Sequence, residues 1–206
     1  MLRSSASRLS LRFAAKPAVD FSSVRPESAS VQLPSSTTYY DVLNVPYDGS
    51  AFDVDLVRLK KSFRDLQRII HPDKWSGKGD TAQETAAEMS GIVNRAYGIL
   101  TNPYTRAEYI LQLEGVPIEE QDNIEDPSLI MEVMETREEL DGAEDRTQVE
   151  QIRLDNLSKI NDLLPRLSAA VADKDWGAVK EATIRLKYLQ GIDQAAQAWP
   201  NQPFDH

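Results

Sequence analysis

The stretch Ile69-Ile70-His71-Pro72-Asp73-Lys74 ends one predicted helix and precedes another. Pro72 lacks an amide hydrogen and disfavours helical dihedrals at His71, so the first helix, predicted from about Asp53, must end near Ile70. Its apolar residues recur three or four positions apart, which is typical of one buried helical stripe. The members of this stripe are Leu56, Leu59, Phe63, Leu66 and Ile70. The sequence therefore places His71 and Asp73 on an exposed turn.

The opposite side of the same helix is predicted to be basic. Its cations are Arg58, Lys60, Lys61, Arg64 and Arg68. A second helical pattern follows the turn, and its apolar side consists of Met89, Ile92, Val93, Ala96, Tyr97 and Leu100. Two antiparallel helices joined by a polar loop form a hairpin that displays the His-Pro-Asp tripeptide beside a cationic face.

This hairpin resembles the J-domain, the module with which co-chaperones stimulate the ATPase of DnaK-type heat-shock chaperones. The opening Tyr39-Tyr40-Asp41-Val42-Leu43-Asn44-Val45 and the later Asn94-Arg95-Ala96-Tyr97, with Leu100 and Pro103, also look like that family. On the residues alone, His71 could merely end a helix and Asp73 cap the next turn. The resemblance implies a chaperone-binding surface made of His71, Pro72, Asp73, Lys74, Lys60, Lys61, Arg64 and Arg68.

Composition excludes several functional classes. The 206 residues contain no cysteine, which excludes disulfides, thiolate zinc sites and cysteine-ligated iron–sulfur clusters on this chain. No apolar run approaches the length of a membrane span, and the net charge of −10 disfavours nucleic-acid binding. The only histidines are His71 and the terminal His206, so converging catalytic or metal ligands are not expected, and neither is a cofactor.

The N-terminal segment, residues 1–36, has a distinct charge. It contains five basic and two acidic side chains, no acid among its first nineteen residues, and many serines. A weakly amphipathic pattern of this kind is typical of a mitochondrial transit peptide, whereas a secretory signal needs a longer apolar run. The alternative is a disordered serine-rich tail.

The rest of the chain is predicted to be all-α, with a J-domain hairpin over residues 37–113 followed by an antiparallel three-helix bundle over 127–198. An acidic stretch, 114–126, is predicted as the linker, and 199–206 as a tail. The bundle helices are expected from Pro127 to about Asp141, from about Asp145 to Asp173 and from about Asp175 to Ala198. Pro165 should kink or break the middle helix near Leu164.

The first bundle helix carries more apolar residues than one core-facing stripe requires. Met131 and Met134 share a strip with Glu135 and Glu138, and methionines on a half-exposed strip suit an adaptable protein-binding surface. Composition alone favours the other interpretation, an ordinary broad core face.

The order of these parts resembles the HscB/Jac family of co-chaperones for iron–sulfur cluster biogenesis. The features are the J-domain, an acidic Met134-Glu135-Thr136-Arg137-Glu138-Glu139-Leu140 helix and a final Arg185-Leu186-Lys187-Tyr188-Leu189 helix. The resemblance implies a mitochondrial-matrix protein that engages a DnaK-type chaperone and delivers the cluster scaffold protein to it. The scaffold-binding residues that it implies are Ile130, Met131, Met134, Tyr188, Glu135, Arg137 and Glu138.

Two other readings stay open at this point. A general mitochondrial J-domain co-chaperone with a different client is the alternative, although the glycine- and cysteine-rich modules of general J-proteins are absent. A helical adaptor with a vestigial J-domain would leave an intact His-Pro-Asp unused. An enzyme is not expected, because no nucleophile–base pair stands out.

Overall fold

The computed structural model describes residues 36–48, 50–119, 122 and 127–200. The described residues form seven α-helices, one short 3₁₀ helix at Pro72–Lys74, and no strand. The predicted transit peptide up to residue 35, much of the predicted linker and residues 201–206 lie outside them. The helices are α1 Tyr39–Val42, α2 Leu56–Ile70, α3 Asp80–Thr101, α4 Pro103–Leu113, α5 Pro127–Asp141, α6 Arg146–Asp173 and α7 Trp176–Ala198.

Helix α2 ends at Ile70, as Pro72 predicts, but it begins three residues later than expected. The carboxylate of Asp55 accepts the backbone N–H groups of Val57 and Arg58 at 2.9 and 3.1 Å, and this cap fixes the first turn. The prediction that Leu56 belongs to the buried stripe is wrong, because Leu56 is the first residue of the helix and is 49% exposed.

Helices α2 and α3 form the predicted hairpin. Phe63 and Tyr97 stack with ring centroids 4.2 Å apart, and the Gln67 amide donates to Asn94 Oδ1 at 2.8 Å. Ser90 Oγ donates to the amide oxygen Oε1 of Gln67 at 3.1 Å, so one side chain of α2 is hydrogen-bonded to two positions of α3. These contacts hold the two helices in one register and thereby fix the turn between them.

Helices α5, α6 and α7 form the predicted three-helix bundle, with α6 and α7 as its main pair. Of the two outcomes predicted for Pro165, a kink or a break of α6, the break is wrong, since the helix runs unbroken from Arg146 to Asp173. The hydrogen bond that Pro165 cannot make would have gone to the carbonyl of Asn161. Both residues are exposed, so water can satisfy that carbonyl while the opposite side of α6 remains packed.

The hairpin and the bundle share one core. Buried residues of both parts form a single cluster, in which Leu100 and Leu111 join Leu167, Leu186 and other bundle residues. The predicted linker also packs where it is described: Ile118 contacts two core clusters. Lys180 of α7 donates to Asp122 at 2.8 Å and lowers the pKa of that carboxyl.

Arg106 of α4 is buried inside the J-like part. Its guanidinium donates to the carbonyl oxygens of Leu100 at 2.9 Å, Thr101 at 3.3 Å and Phe52. Burial lowers the pKa of the guanidinium, and its Cζ lies 5.2 Å from the Phe52 ring centroid. Three backbone carbonyls from two segments thus accept hydrogen bonds from one side chain.

Replacing Arg106 by methionine should lower the free energy of unfolding by about 3 kcal/mol, because the carbonyls of Leu100 and Thr101 would lose the guanidinium as their donor and that of Phe52 would keep only the N–H of Val54. Urea unfolding followed by circular dichroism measures this difference. Arg95→Met provides the matched control, since Arg95 is exposed on α3, and it should change stability by less than about 0.5 kcal/mol. Equal stability of the two variants would contradict the role assigned to Arg106.

No helix in the described part of the chain is both long and apolar enough to cross a membrane.

Candidate functional site: two exposed surfaces

The His-Pro-Asp turn lies at the end of α2 and is open to solvent. The side chains of His71 and Asp73 are 52% and 89% exposed. His71 Nδ1 lies 3.4 Å from the backbone N of Asp73, whose N–H it accepts, and 3.5 Å from Asp73 Oδ2. The prediction that both residues occupy an exposed turn is therefore confirmed.

This geometry leaves one ring nitrogen of His71 for a partner. When the imidazole is neutral and Nδ1 accepts from Asp73, the ring hydrogen is assigned to Nε2, which can then act as a donor. The mostly exposed carboxylate of Asp73 offers acceptors beside it. The turn thus presents a donor and an acceptor side by side, and nothing in its environment buries them.

Trp75 supports the turn, and the sequence reasoning missed it. Its indole N–H donates to the carbonyl of Ile69 at 3.1 Å, and that carbonyl belongs to the last turn of α2. Lys78 Nζ lies 4.2 Å from the ring centroid, a cation–π contact. The only signal in the sequence was a tryptophan directly after the His-Pro-Asp-Lys motif.

The basic face of α2 is exposed, as predicted. Four of its five cations line a shallow depression of about 440 Å³ together with two apolar side chains and one acid. No ion pair involves these cations within the described residues. The residues that line the depression are Leu56, Val57, Lys60, Lys61, Arg64, Asp65 and Arg68.

A second exposed surface lies on α5. Ile130, Met131 and Met134 are 36%, 64% and 57% exposed, so the interpretation of this strip as an ordinary core face is wrong for the two methionines. The residues of α5 that face the core are Leu129, Val133 and Leu140. The polar residues named beside the strip, Glu135, Arg137 and Glu138, are exposed as well.

Tyr188 of α7 lies next to this part of α5. It is half-buried and packs against a cluster that contains Leu129 and Val133 of α5 and Ile184 and Ile192 of α7. The structure therefore brings the last helix beside the first helix of the bundle, as the sequence predicted. Its partial burial makes Tyr188 both a packing residue and a surface residue.

Glu132 joins all three bundle helices, and the sequence gave no signal for it. One carboxylate oxygen lies 2.8 Å from Lys159 Nζ of α6, and the other accepts from Arg185 of α7. Glu132 directly follows Met131, so this junction lies beside the exposed strip. Because α5 buries few residues of its own, the junction helps to fix its position.

Replacing Glu132 by glutamine should lower the free energy of unfolding by about 1 kcal/mol at low salt and by less at high salt, because these half-exposed ion pairs are screened. Urea unfolding at both salt concentrations measures the difference. Glu139→Gln, on the exposed side of the same helix, is the control and should have little effect at either concentration. A loss that does not shrink with salt would contradict the ion-pair explanation.

No grouping of three or more histidine, aspartate or glutamate side chains within the described residues is suited to hold a metal ion.

Comparison with known proteins agrees with this two-part organisation. The DnaJ domain family matches residues 38–109, and the family described as the HSCB C-terminal oligomerisation domain matches residues 125–197. The "Co-chaperone protein HscB homolog" of Vibrio campbellii is 33% identical over an alignment that covers 75% of this chain and 90% of that protein. The chain belongs to the HscB family of co-chaperones.

Eukaryotic HscB proteins are similar to this chain as well. The mouse "Iron-sulfur cluster co-chaperone protein HscB" is 30% identical, with 80% of this chain and 70% of that protein aligned. The crystal structure of human co-chaperone protein HscB superposes with a TM-score of 0.74 at 27% identity, covering 82% of this chain and 85% of that one. The all-α fold with an N-terminal J-domain and a helical C-terminal domain is thereby confirmed.

Proposed function

We propose that this HscB family member acts in iron–sulfur cluster biogenesis in the mitochondrial matrix. Its J-domain stimulates the ATPase of a DnaK-type heat-shock chaperone, and its C-terminal bundle delivers the cluster scaffold protein to that chaperone. The observation that carries the proposal is the presence of two exposed surfaces on one chain whose two helical parts share a core. One is the chaperone surface: His71, Pro72, Asp73 and Lys74 with Lys60, Lys61, Arg64 and Arg68. The other is the scaffold surface: Ile130, Met131, Met134, Tyr188, Glu135, Arg137 and Glu138.

The two surfaces would act in sequence. The cations of α2 steer an acidic chaperone surface towards the turn, which raises the association rate most strongly at low salt. The donor on His71 and the acceptors on Asp73 then bond to the chaperone and favour its hydrolysing conformation. No bond is made or broken on this chain, since nucleotide and magnesium belong to the partner.

The bundle contributes through effective concentration. A scaffold held on the apolar strip of α5 travels with the J-domain, so its delivery to the chaperone becomes nearly intramolecular. The shared core supports this arrangement, because a J-domain packed against the bundle cannot swing freely away from the bound scaffold. The mitochondrial location rests on the basic, serine-rich composition of residues 1–36. Import of the full chain into isolated mitochondria tests it.

The deciding experiment measures ATPase turnover of a mitochondrial DnaK-type chaperone with this protein, with the scaffold, and with both. We expect the two together to stimulate more than the sum of their separate effects. Stimulation without any contribution or binding of the scaffold would favour a J-protein with a different client. No stimulation at any concentration would overturn the J-domain assignment itself.

A further inference from the structure

The first turn of α2 carries two apolar side chains that the rest of the chain leaves uncovered. Leu56 is 49% and Val57 is 80% exposed. Their backbone is well fixed, because the Asp55 carboxylate accepts the N–H of Val57 at 2.9 Å and that of Arg58 at 3.1 Å. A capped turn does not fray, so the apolar pair is held in place rather than free to fold inward.

Helical geometry places Val57 on the cationic face itself. Lys60, Lys61, Arg64 and Arg68 follow Val57 by three, four, seven and eleven residues, which is the spacing of one helical face. Leu56 borders the same face, and both apolar residues line the 440 Å³ depression with these cations. The character of this face therefore changes along the helix. It is apolar at the first turn and cationic in the middle, and it ends at the His-Pro-Asp turn.

The charge of this face selects its partner. Four cations and a single acid, Asp65, line the depression, although the whole chain carries a net charge of −10. These cations have no carboxylate partner among the described residues, so an acidic surface would complement them. A membrane is less well suited, because it requires a broad apolar helix face and here cations occupy most positions of that face.

We infer that Leu56 and Val57 are the far end of the chaperone-binding surface and contact an apolar spot on the chaperone's acidic face. The inference rests on the proposed function, and it extends the contact along the whole of α2, about 22 Å from the turn. The cations and the apolar pair would contribute to binding in different ways. The cations provide attraction that salt screens, whereas the apolar pair provides contact that salt does not screen.

The test compares the Leu56→Ser/Val57→Ser double variant with wild type in chaperone binding at about 50 and about 300 mM salt. Leu154→Ser is the matched control, because Leu154 is 52% exposed but lies on α6. Arg64→Gln/Arg68→Gln is the comparison for charge. Circular dichroism melting establishes that all variants are folded.

We expect the apolar variant to bind on the order of tenfold more weakly at both salt concentrations, with the salt dependence of wild type retained. The charge variant should instead lose affinity mainly at low salt and show a flatter salt dependence. Leu154→Ser should bind like wild type.

Several results would overturn the inference. Wild-type affinity in the apolar variant would remove Leu56 and Val57 from the contact while leaving the proposed function intact. An equal loss of chaperone affinity in Leu154→Ser would mean that the effect is not specific to the first turn of α2. If the apolar variant keeps its chaperone affinity but loses binding to anionic lipid vesicles, or loses self-association, Leu56 and Val57 belong to a different contact. Failure of wild type to bind the chaperone would overturn the inference and the proposed function together.

Discussion

The His71→Ala variant should lose chaperone ATPase stimulation by about thirtyfold while remaining as stable as wild type. The variant would lose two hydrogen bonds to the chaperone in a desolvated interface. One comes from the imidazole and one from the turn that the imidazole orders, and together they account for a loss of that size. Stability should change by less than about 0.5 kcal/mol, because the side chain is half exposed and its hydrogen bond to the Asp73 N–H lies in an exposed turn. Single-turnover ATP hydrolysis over a range of co-chaperone concentrations measures the effect.

The concentration series separates the role of His71 from that of the basic face. If His71 biases the chaperone towards hydrolysis, excess His71→Ala should not restore the maximal rate. The Arg64→Gln/Arg68→Gln variant should reach the wild-type maximum at a half-saturating concentration about tenfold higher, since these cations mainly promote encounter.

The control for the His71 experiment lies close by. Gln83 is exposed in the first turns of α3, near the His-Pro-Asp turn, and Gln83→Ala should stimulate like wild type. A His71→Ala protein whose maximal rate recovers at high concentration would contradict the assigned role. In that case the imidazole would serve binding alone.

Local chain chemistry made much of the fold readable from the sequence. Pro72 stops α2 at Ile70, and Pro127 with Gly142 delimits α5 at Pro127–Asp141, because proline and glycine act through their own backbones. The fold class and the order of the two parts follow from helical periodicity and from the motif residues. These signals depend on near neighbours, which a sequence displays directly.

The errors arose where solvent and distant residues decide the outcome. Periodicity assigned Leu56 to the core. The spacing of apolar residues on one helix, however, does not show how far along that helix the neighbouring helices extend. Pro165 was expected to kink or break α6, and the break does not occur, because the lost hydrogen bond faces water and the packed side of the helix continues. In both cases the local rule holds, and tertiary position determines its consequence.

The supporting residues of the candidate site could not be found by pattern. Glu132 acquires its role from Lys159 and Arg185, which lie on two other helices, and a lone glutamate on a helix usually signifies a solvated face. Trp75 matters through one hydrogen bond to Ile69. The exposure of Met131 and Met134 likewise follows from which side of α5 faces α7. The roles assigned to the surface residues themselves stay predictions.

The Met131→Ala/Met134→Ala variant should bind the scaffold about thirtyfold more weakly than wild type. Both residues are more than half exposed, so most of their surface is available to a partner. Large apolar side chains that become buried at the centre of an interface dominate its binding energy, and truncating two of them removes roughly 2 kcal/mol. Isothermal titration of the scaffold into each variant measures the change.

Stimulation assays distinguish this loss from a general defect. Without scaffold, the double variant should stimulate the chaperone like wild type, because α5 is remote from the His-Pro-Asp turn in sequence and belongs to the other surface. With scaffold, the additional stimulation should disappear. Leu154→Ala is the control, since it removes an equally exposed apolar side chain from α6.

Tyr188 provides the sharper test of how the strip extends onto α7. Because Tyr188 packs against the cluster that contains Leu129 and Val133, Tyr188→Ala would weaken the bundle and the binding surface together. The loss of affinity could then not be divided between these two effects. Tyr188→Phe keeps the ring packed and removes only the hydroxyl. If scaffold affinity stays at the wild-type value in Tyr188→Phe but falls in the methionine variant, the strip binds by apolar contact. If the phenylalanine variant loses as much affinity as the methionine variant, a hydrogen bond from α7 carries the recognition, and the methionines contribute only area.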